Sequence, residues 1–192
     1  MSTERRSSKG RTDGEALFET RLEAATEAPA EAVYGLLADL NAHLEWGGRK
    51  QKRKNFRLTS VEAPSGPAMV GTEFRTTGTD PMGTFDDTSV VTEARRTQVF
   101  EFVTEARLRP KRGEVLGWTN VHRYQIEPRG AGCTVTYTCR VMRLSRRPWW
   151  TKRWAKGLAQ KISASYARGG FENLLRMAEE RAGVSPTAMS AT

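Results

Sequence analysis

The 192-residue chain predicts an α+β domain in which a curved antiparallel sheet of about seven strands packs on a long C-terminal helix. Three observations carry that expectation. Period-two alternation runs from Phe56 to Met142, broken only by short Pro- and Gly-containing turns. One further strand pattern, and then a helical one, precede it. After Pro148 the spacing changes to four, with Trp150, Trp154, Leu158, Ile162 and Tyr166 in step. A sheet with one apolar face needs a cover, and the last helix supplies it.

Leu17 to Glu27 reads as the first strand, with Phe18, Leu22 and Ala24 on one parity. Ala28-Pro29-Ala30-Glu31 starts a helix, because proline near the first helical position loses no needed hydrogen bond. Val33, Leu36, Leu37 and Leu40 give its apolar stripe. Asp39 is an N-cap candidate for a second short helix through Trp46, ended by Gly47-Gly48. Phe56 to Ala63 is the next strand, followed by a turn at Pro64-Ser65-Gly66-Pro67. Val70 to Thr79 follows, with Val70, Thr72, Phe74 and Thr76 on one side, and then a hairpin turn at Asp80-Pro81-Met82-Gly83. Thr84 to Ala94 and Thr97 to Leu108 flank an Arg95-Arg96 turn. After Pro110 to Gly113, the Glu114 to Pro128 strand runs to a turn at Arg129-Gly130-Ala131-Gly132, and Cys133 to Met142 closes the sheet. Short turns between consecutive strands imply an antiparallel meander. The closing helix spans about 30 residues, roughly 45 Å, with Leu174, Met177 and Ala178 extending its apolar face to Gly183. Residues 1–16 and 184–192 read as disordered tails around one domain at 17–183.

Composition narrows the function classes. No run of about 20 apolar residues exists, so no membrane-spanning helix is expected. The Ser/Arg/Lys-rich start has no apolar core of a secretory signal. Cys133 and Cys139 lie on one strand, roughly 20 Å apart at its rise per residue, too far for a disulfide. A reduced, cytoplasmic protein is expected. Phosphate-binding loops, dinucleotide glycine fingerprints and Gly-x-Ser-x-Gly elbows are missing, and His43 and His122 have no zinc spacing, so neither cofactor nor metal is expected. Net charge is +9, clustered at Arg49–Arg57, Arg109–Arg112 and Arg140–Lys156. Such clusters attract anionic membrane, nucleic acid or an acidic ligand, or simply keep the surface wet. Trp149, Trp150 and Trp154 among Arg147, Lys152 and Arg153 fit a membrane interface or a packed sheet end.

The strand from Glu114 carries the most informative pattern. Leu116, Trp118, Asn120, His122, Tyr124 and Ile126 share one parity, and a face mixing aromatics with an amide and an imidazole suits a pocket wall. His122 is the best acid–base candidate because its ordinary pKa lies near neutrality. Asn120 and Tyr124 are placed to polarise a carbonyl beside it, and these three form the candidate catalytic set. Tyr137 on the next strand reaches the same region. Asp86 and Asp87 are adjacent, so one of them faces inward, as a base or a partner of His122, unless the pair sits in water at the hairpin mouth. Trp46, Phe74, Phe100, Phe102, Trp118, Tyr137 and Tyr166 are the candidate ligand-lining residues, with ordinary core packing the competing reading for each.

The order of elements resembles the START/polyketide cyclase-dehydratase superfamily, SRPBCC, with its helix-grip fold. The residues that carry the resemblance are Ala28-Pro29-Ala30-Glu31-Ala32-Val33-Tyr34, Leu37-Ala38-Asp39 with Trp46 downstream, Val70-Gly71-Thr72-Glu73-Phe74-Arg75, and Phe171-Glu172-Asn173-Leu174-Leu175-Arg176-Met177-Ala178-Glu179. It covers Phe18 to Ala182. Members of that superfamily hold lipids, sterols, hormones or polyketides in a deep apolar cavity, and some are cyclases, aromatases or dehydratases. The resemblance therefore implies a small hydrophobic ligand, with a carboxylate on it able to meet a rim arginine or lysine. A polyketide cyclase, aromatase or dehydratase is the alternative. Peripheral binding to an anionic membrane through the basic clusters is a further one, with nucleic acid not favoured.

Overall fold

The computed structural model describes residues 16–49, 57–80, 82–145 and 156–184. Within helices and strands, the side chains of Arg49, Arg143, Lys156, Leu158, Ala159, Ile162 and Tyr166 are outside that description. Residues 1–15 and 185–192 of the expected tails, the first basic cluster from Lys50 to Lys54, and Trp149, Trp150 and Trp154 also lie outside the described residues.

Seven antiparallel strands form one sheet: β1 (Phe18–Thr26), β2 (Arg57–Glu62), β3 (Glu73–Thr79), β4 (Gly83–Arg95), β5 (Val99–Pro110), β6 (Leu116–Arg129) and β7 (Gly132–Leu144). Their spatial order is β1-β7-β6-β5-β4-β3-β2. β2 to β7 are the expected meander, and β1 pairs with β7, with Leu22 opposite Tyr137. α1 (Ala30–Ala38) follows β1, and α2 (Lys156–Ala182) closes the chain. α2 ends as its sequence predicts: Gly183 adopts φ 68°, and Val184 N and Gly183 N donate to Glu179 O and Glu180 O.

Two expectations need correction. β3 begins at Glu73, not Val70. Gly71 takes φ 90°, which tightens Met69–Thr72 into a turn closed by Thr72 N donating to Met69 O; Val70 is thereby turned outward and 63% exposed. Gly47-Gly48 does not end the second helical segment. Asp39 does cap a 3₁₀ turn at Leu40–Ala42, its carboxylate accepting from Ala42 N, but the chain continues as a π turn through Arg49. The Asp80 hairpin forms as expected, with Asp80 Oδ1 accepting from Met82 N and Gly83 N.

α2 lies along β1. Gln160 Nε2 donates to Glu19 O, Thr20 Oγ1 donates to Ser163 Oγ, and Thr26 Oγ1 donates to Glu179 Oε1 at 2.7 Å. Its first half therefore crosses the Phe18 end of the sheet and its second half the Thr26 end. The buried core joins α1 (Val33, Leu36, Leu37) to Phe171, Leu174 and Leu175 of α2 and to the inward faces of β4 to β7. Both cysteines are free and buried. Among the described residues, no helix is long and apolar enough to cross a membrane.

Candidate ligand-binding site

Strand register places the candidate residues. On β6, Trp118, Asn120, His122 and Tyr124 stand opposite Ala106, Thr104, Phe102 and Phe100 of β5. On the other side His122 pairs with Cys139 and Tyr124 with Tyr137 of β7. β7 accommodates one extra residue, Met142, where the register shifts between Thr119 and Asn120. The inward parity of β6 is undisturbed, because the bulge is carried by its neighbour.

A connected set of rings covers the middle of this face. His122 stacks on Phe102 with centroids 4.7 Å apart. Phe102 meets Phe74 at 5.4 Å and Phe100 at 6.3 Å. Tyr137 packs on Tyr124 at 4.7 Å and on Phe171 of α2 at 6.2 Å. Trp46 lies across Tyr124 at 6.4 Å, held by Asn173 Nδ2 donating to its carbonyl. Tyr166 belongs to α2, but its side chain lies outside the described residues.

His122 Nδ1 and Tyr137 Oη share a hydrogen bond of 2.8 Å. Burial, and then the nearby His43, push the His122 pKa down to about 4, so the ring is neutral at pH 7. Burial pushes the Tyr124 and Tyr137 hydroxyls well above their ordinary range, and the Cys139 thiol up to about 11. This is a water-poor, charge-averse surface. The acid–base candidate is therefore a neutral, hydrogen-bonded ring at pH 7.

The aspartates divide as strand alternation requires. Asp86 faces outward in a bidentate pair with Arg75, at 2.7 and 2.6 Å. Asp87 shares the parity of buried Phe85 and Ser89 and accepts from Arg107 N at 3.0 Å. Burial raises it to about 6. It does not pair with His122, whose hydrogen-bond partner is Tyr137.

One member of the cluster escaped sequence reading as a site residue. His43 is 4% exposed, packs on Trp46 at 4.6 Å and reaches both Phe74 and Phe102. Its Nε2 donates to Leu37 O at 3.1 Å; a carbonyl only accepts, which assigns that tautomer. Burial depresses its pKa to about 4. The signal was present: His43 falls three residues after Leu40 on the stripe that begins at Val33.

Exposure separates two zones of the inner face. Phe74, Phe100, Tyr124, Ile126 and Tyr137 are buried. Leu116, Trp118, Asn120 and His122 remain half-buried although they sit mid-sheet. In the first half of α2, Ser163, Ala164, Ser165, Ala167 and Gly169 are half-buried and Gln160, Lys161 and Arg168 are exposed, while the side chains of Leu158, Ile162 and Tyr166 lie outside the described residues.

The element order, the register and the covering helix decide the architecture. The fold is the helix grip. Solved structures with this fold include a Rhizobium leguminosarum protein, 14% identical over 85% of this chain and 95% of its own, with a TM-score of 0.61. A Thermus thermophilus protein is 17% identical over 85% and 99%, at 0.60. Ara h 8.0201, a Bet v 1-like protein, is 11% identical over 82% and 97%, at 0.53. No protein-family model matches the chain, and no curated protein does. At these identities the likeness shows the helix-grip fold alone.

Proposed function

We propose that the chain belongs to the START/polyketide-cyclase (SRPBCC) superfamily and binds a small hydrophobic, lipid- or polyketide-like molecule between its sheet and α2. One observation carries this reading: Trp118, Asn120 and His122 stay half-buried in the middle of the sheet, on the face that carries the buried core. A well-packed core encloses such residues. An apolar space of roughly 300 Å³ left unfilled would cost on the order of 7 kcal/mol at about 24 cal/mol per Å³, so an occupant is favoured. Native mass spectrometry of the purified protein, followed by solvent extraction, tests it. A stoichiometric hydrophobic molecule is expected. A protein that carries nothing, and whose melting temperature is unmoved by a panel of lipids and aromatic polyketides, overturns the reading.

The hydrogen bond between neutral His122 and Tyr137 favours a second reading, a polyketide cyclase, aromatase or dehydratase in which His122 relays a proton with Tyr124 and Asn120 beside it. His122→Ala then abolishes turnover of a poly-β-keto substrate while ligand affinity changes only a few-fold; undiminished turnover sinks it. The exposed Arg109, Lys111 and Arg112 adjoin exposed Met82 and Val115, with Lys111 N donating to Met82 O across the two hairpin tips. That surface supports docking on an anionic membrane, checked by salt-sensitive co-sedimentation with phosphatidylserine vesicles.

A further inference from the structure

Two buried polar atoms near the ring cluster have no hydrogen-bond partner among the described residues: the acceptor Asn120 Oδ1 and the donor Trp46 Nε1. Buried polar groups are almost always satisfied, and leaving one unmet costs about 1–3 kcal/mol. A chain of ring contacts runs from one towards the other. Trp46 leans on His43 and Tyr124. Asn120 is the next inward position after His122, which stacks on Phe102, itself against His43. Both atoms are shut off from solvent, so a partner reaches them only when adjacent side chains shift. Half-buried Trp118 and His122 flank Asn120 on the strand.

The charge pattern of the same face restricts the partner further. Among the described residues, no lysine or arginine occupies an inward position on β3 to β7. His43 and His122 are held neutral by burial. A ligand carboxylate at this depth would lose its hydration with no cation on the described faces of β3 to β7 to meet it. An apolar ligand without polar atoms would leave both unmet groups as costly as before. We propose that the molecule bound between sheet and helix is uncharged and carries a hydroxyl that donates to Asn120 Oδ1 together with a carbonyl or ether oxygen that accepts from Trp46 Nε1. The inference rests on the ligand-binding reading and names the ligand class.

A matched set of bicyclic probes tests it by calorimetry: tetralin, 1-tetralone, 5-hydroxytetralin, 5-hydroxy-1-tetralone and tetralin-2-carboxylate. The hydroxyketone is expected to bind at least about ten-fold more tightly than tetralin, as two net hydrogen bonds imply, and the carboxylate more weakly than either. Asn120→Leu should erase the advantage conferred by the hydroxyl and leave tetralin affinity unchanged or higher. Trp46→Phe keeps an aromatic ring and should erase the advantage conferred by the ketone alone. The tetralin affinity of each variant reports that its pocket is intact. If the neutral probes bind equally well and both variants keep that pattern, the assignment is wrong while ligand binding stands. Tightest binding by the carboxylate also overturns it. If none of the probes binds, and the purified protein carries no extractable molecule, the ligand-binding reading falls and this inference with it.

Discussion

At the Thr26 end of the inner face, α1 and the second half of α2 close over β1, β6 and β7, and Phe171, Leu174, Leu175 and Ala178 are buried. Glu179 locks that end by accepting from Thr26 Oγ1 and Glu27 N. At the Phe18 end the same sheet and the same helix leave Trp118, Asn120 and His122 half-buried. The sheet and α2 run across both ends. Leucine and phenylalanine on α2 fill the gap at the Thr26 end. The first end is sealed; the second is where the proposed site lies.

The contrast makes graded predictions. Leu174 is fully enclosed, so Leu174→Ala should cost about 2–5 kcal/mol in urea denaturation; a loss under about 1 kcal/mol would mean the sealed end is not sealed. Next comes acid sensitivity at the junction of the two zones. The His43 pKa is lowered from 6.5 to about 4. Its contribution is therefore present above pH 6.5 and is lost as pH falls from there towards 4, on the order of 3 kcal/mol at 1.36 per unit. His122 is shifted the same way, so His43→Phe should remove about half of the acid limb of a stability-against-pH curve. An unchanged limb would place the titrating groups elsewhere.

At the open end the effects shrink. Trp118→Ala should destabilise by less than about 2 kcal/mol, short of the 3–5 typical of a sealed core aromatic, while weakening ligand binding several-fold. A cost of 4 kcal/mol would erase the distinction between the ends. The smallest effect has the opposite pH sign. The Asp87 pKa is raised from 3.8 to about 6, so its protonated form is favoured on folding; that contribution is present below pH 3.8 and lost as pH rises through 6. Asp87→Asn should therefore be neutral at pH 3.5 and stabilising at pH 7.5, by about 1 kcal/mol or less once screening is allowed for. Stabilisation equal at both pH values would show that burial does not hold its proton.

Much of the sheet was legible because alternation and turn chemistry act locally. The Asp80 hairpin, the Asp39 cap and the Gly183 helix end all form where their residue types demand. The Val70 error had a local cause too: alternation continues through Val70 and Thr72, but the positive φ at Gly71 turns the chain before the ladder starts. The site was legible only in part. One parity of β6 named Trp118, Asn120, His122 and Tyr124, and Tyr137 was placed beside them. His43 was passed over because its importance comes from packing on Trp46, Phe74 and Phe102, which are near it only in space.

By itself the sequence determined the element types, their order and the face on which each strand residue lies, since periodicity and turn preference are properties of neighbours along the chain. Only the tertiary structure decided that His122 bonds to Tyr137 rather than to an aspartate, and that Asp86 is spent on Arg75 while Asp87 turns inward. It also decided that Asn120 Oδ1 and Trp46 Nε1 are left without partners among the described residues. Those outcomes depend on register and on which side chains the closing helix lays over the sheet. A hydrogen bond, and the desolvation that moves a pKa, are set by distances between residues far apart in the chain.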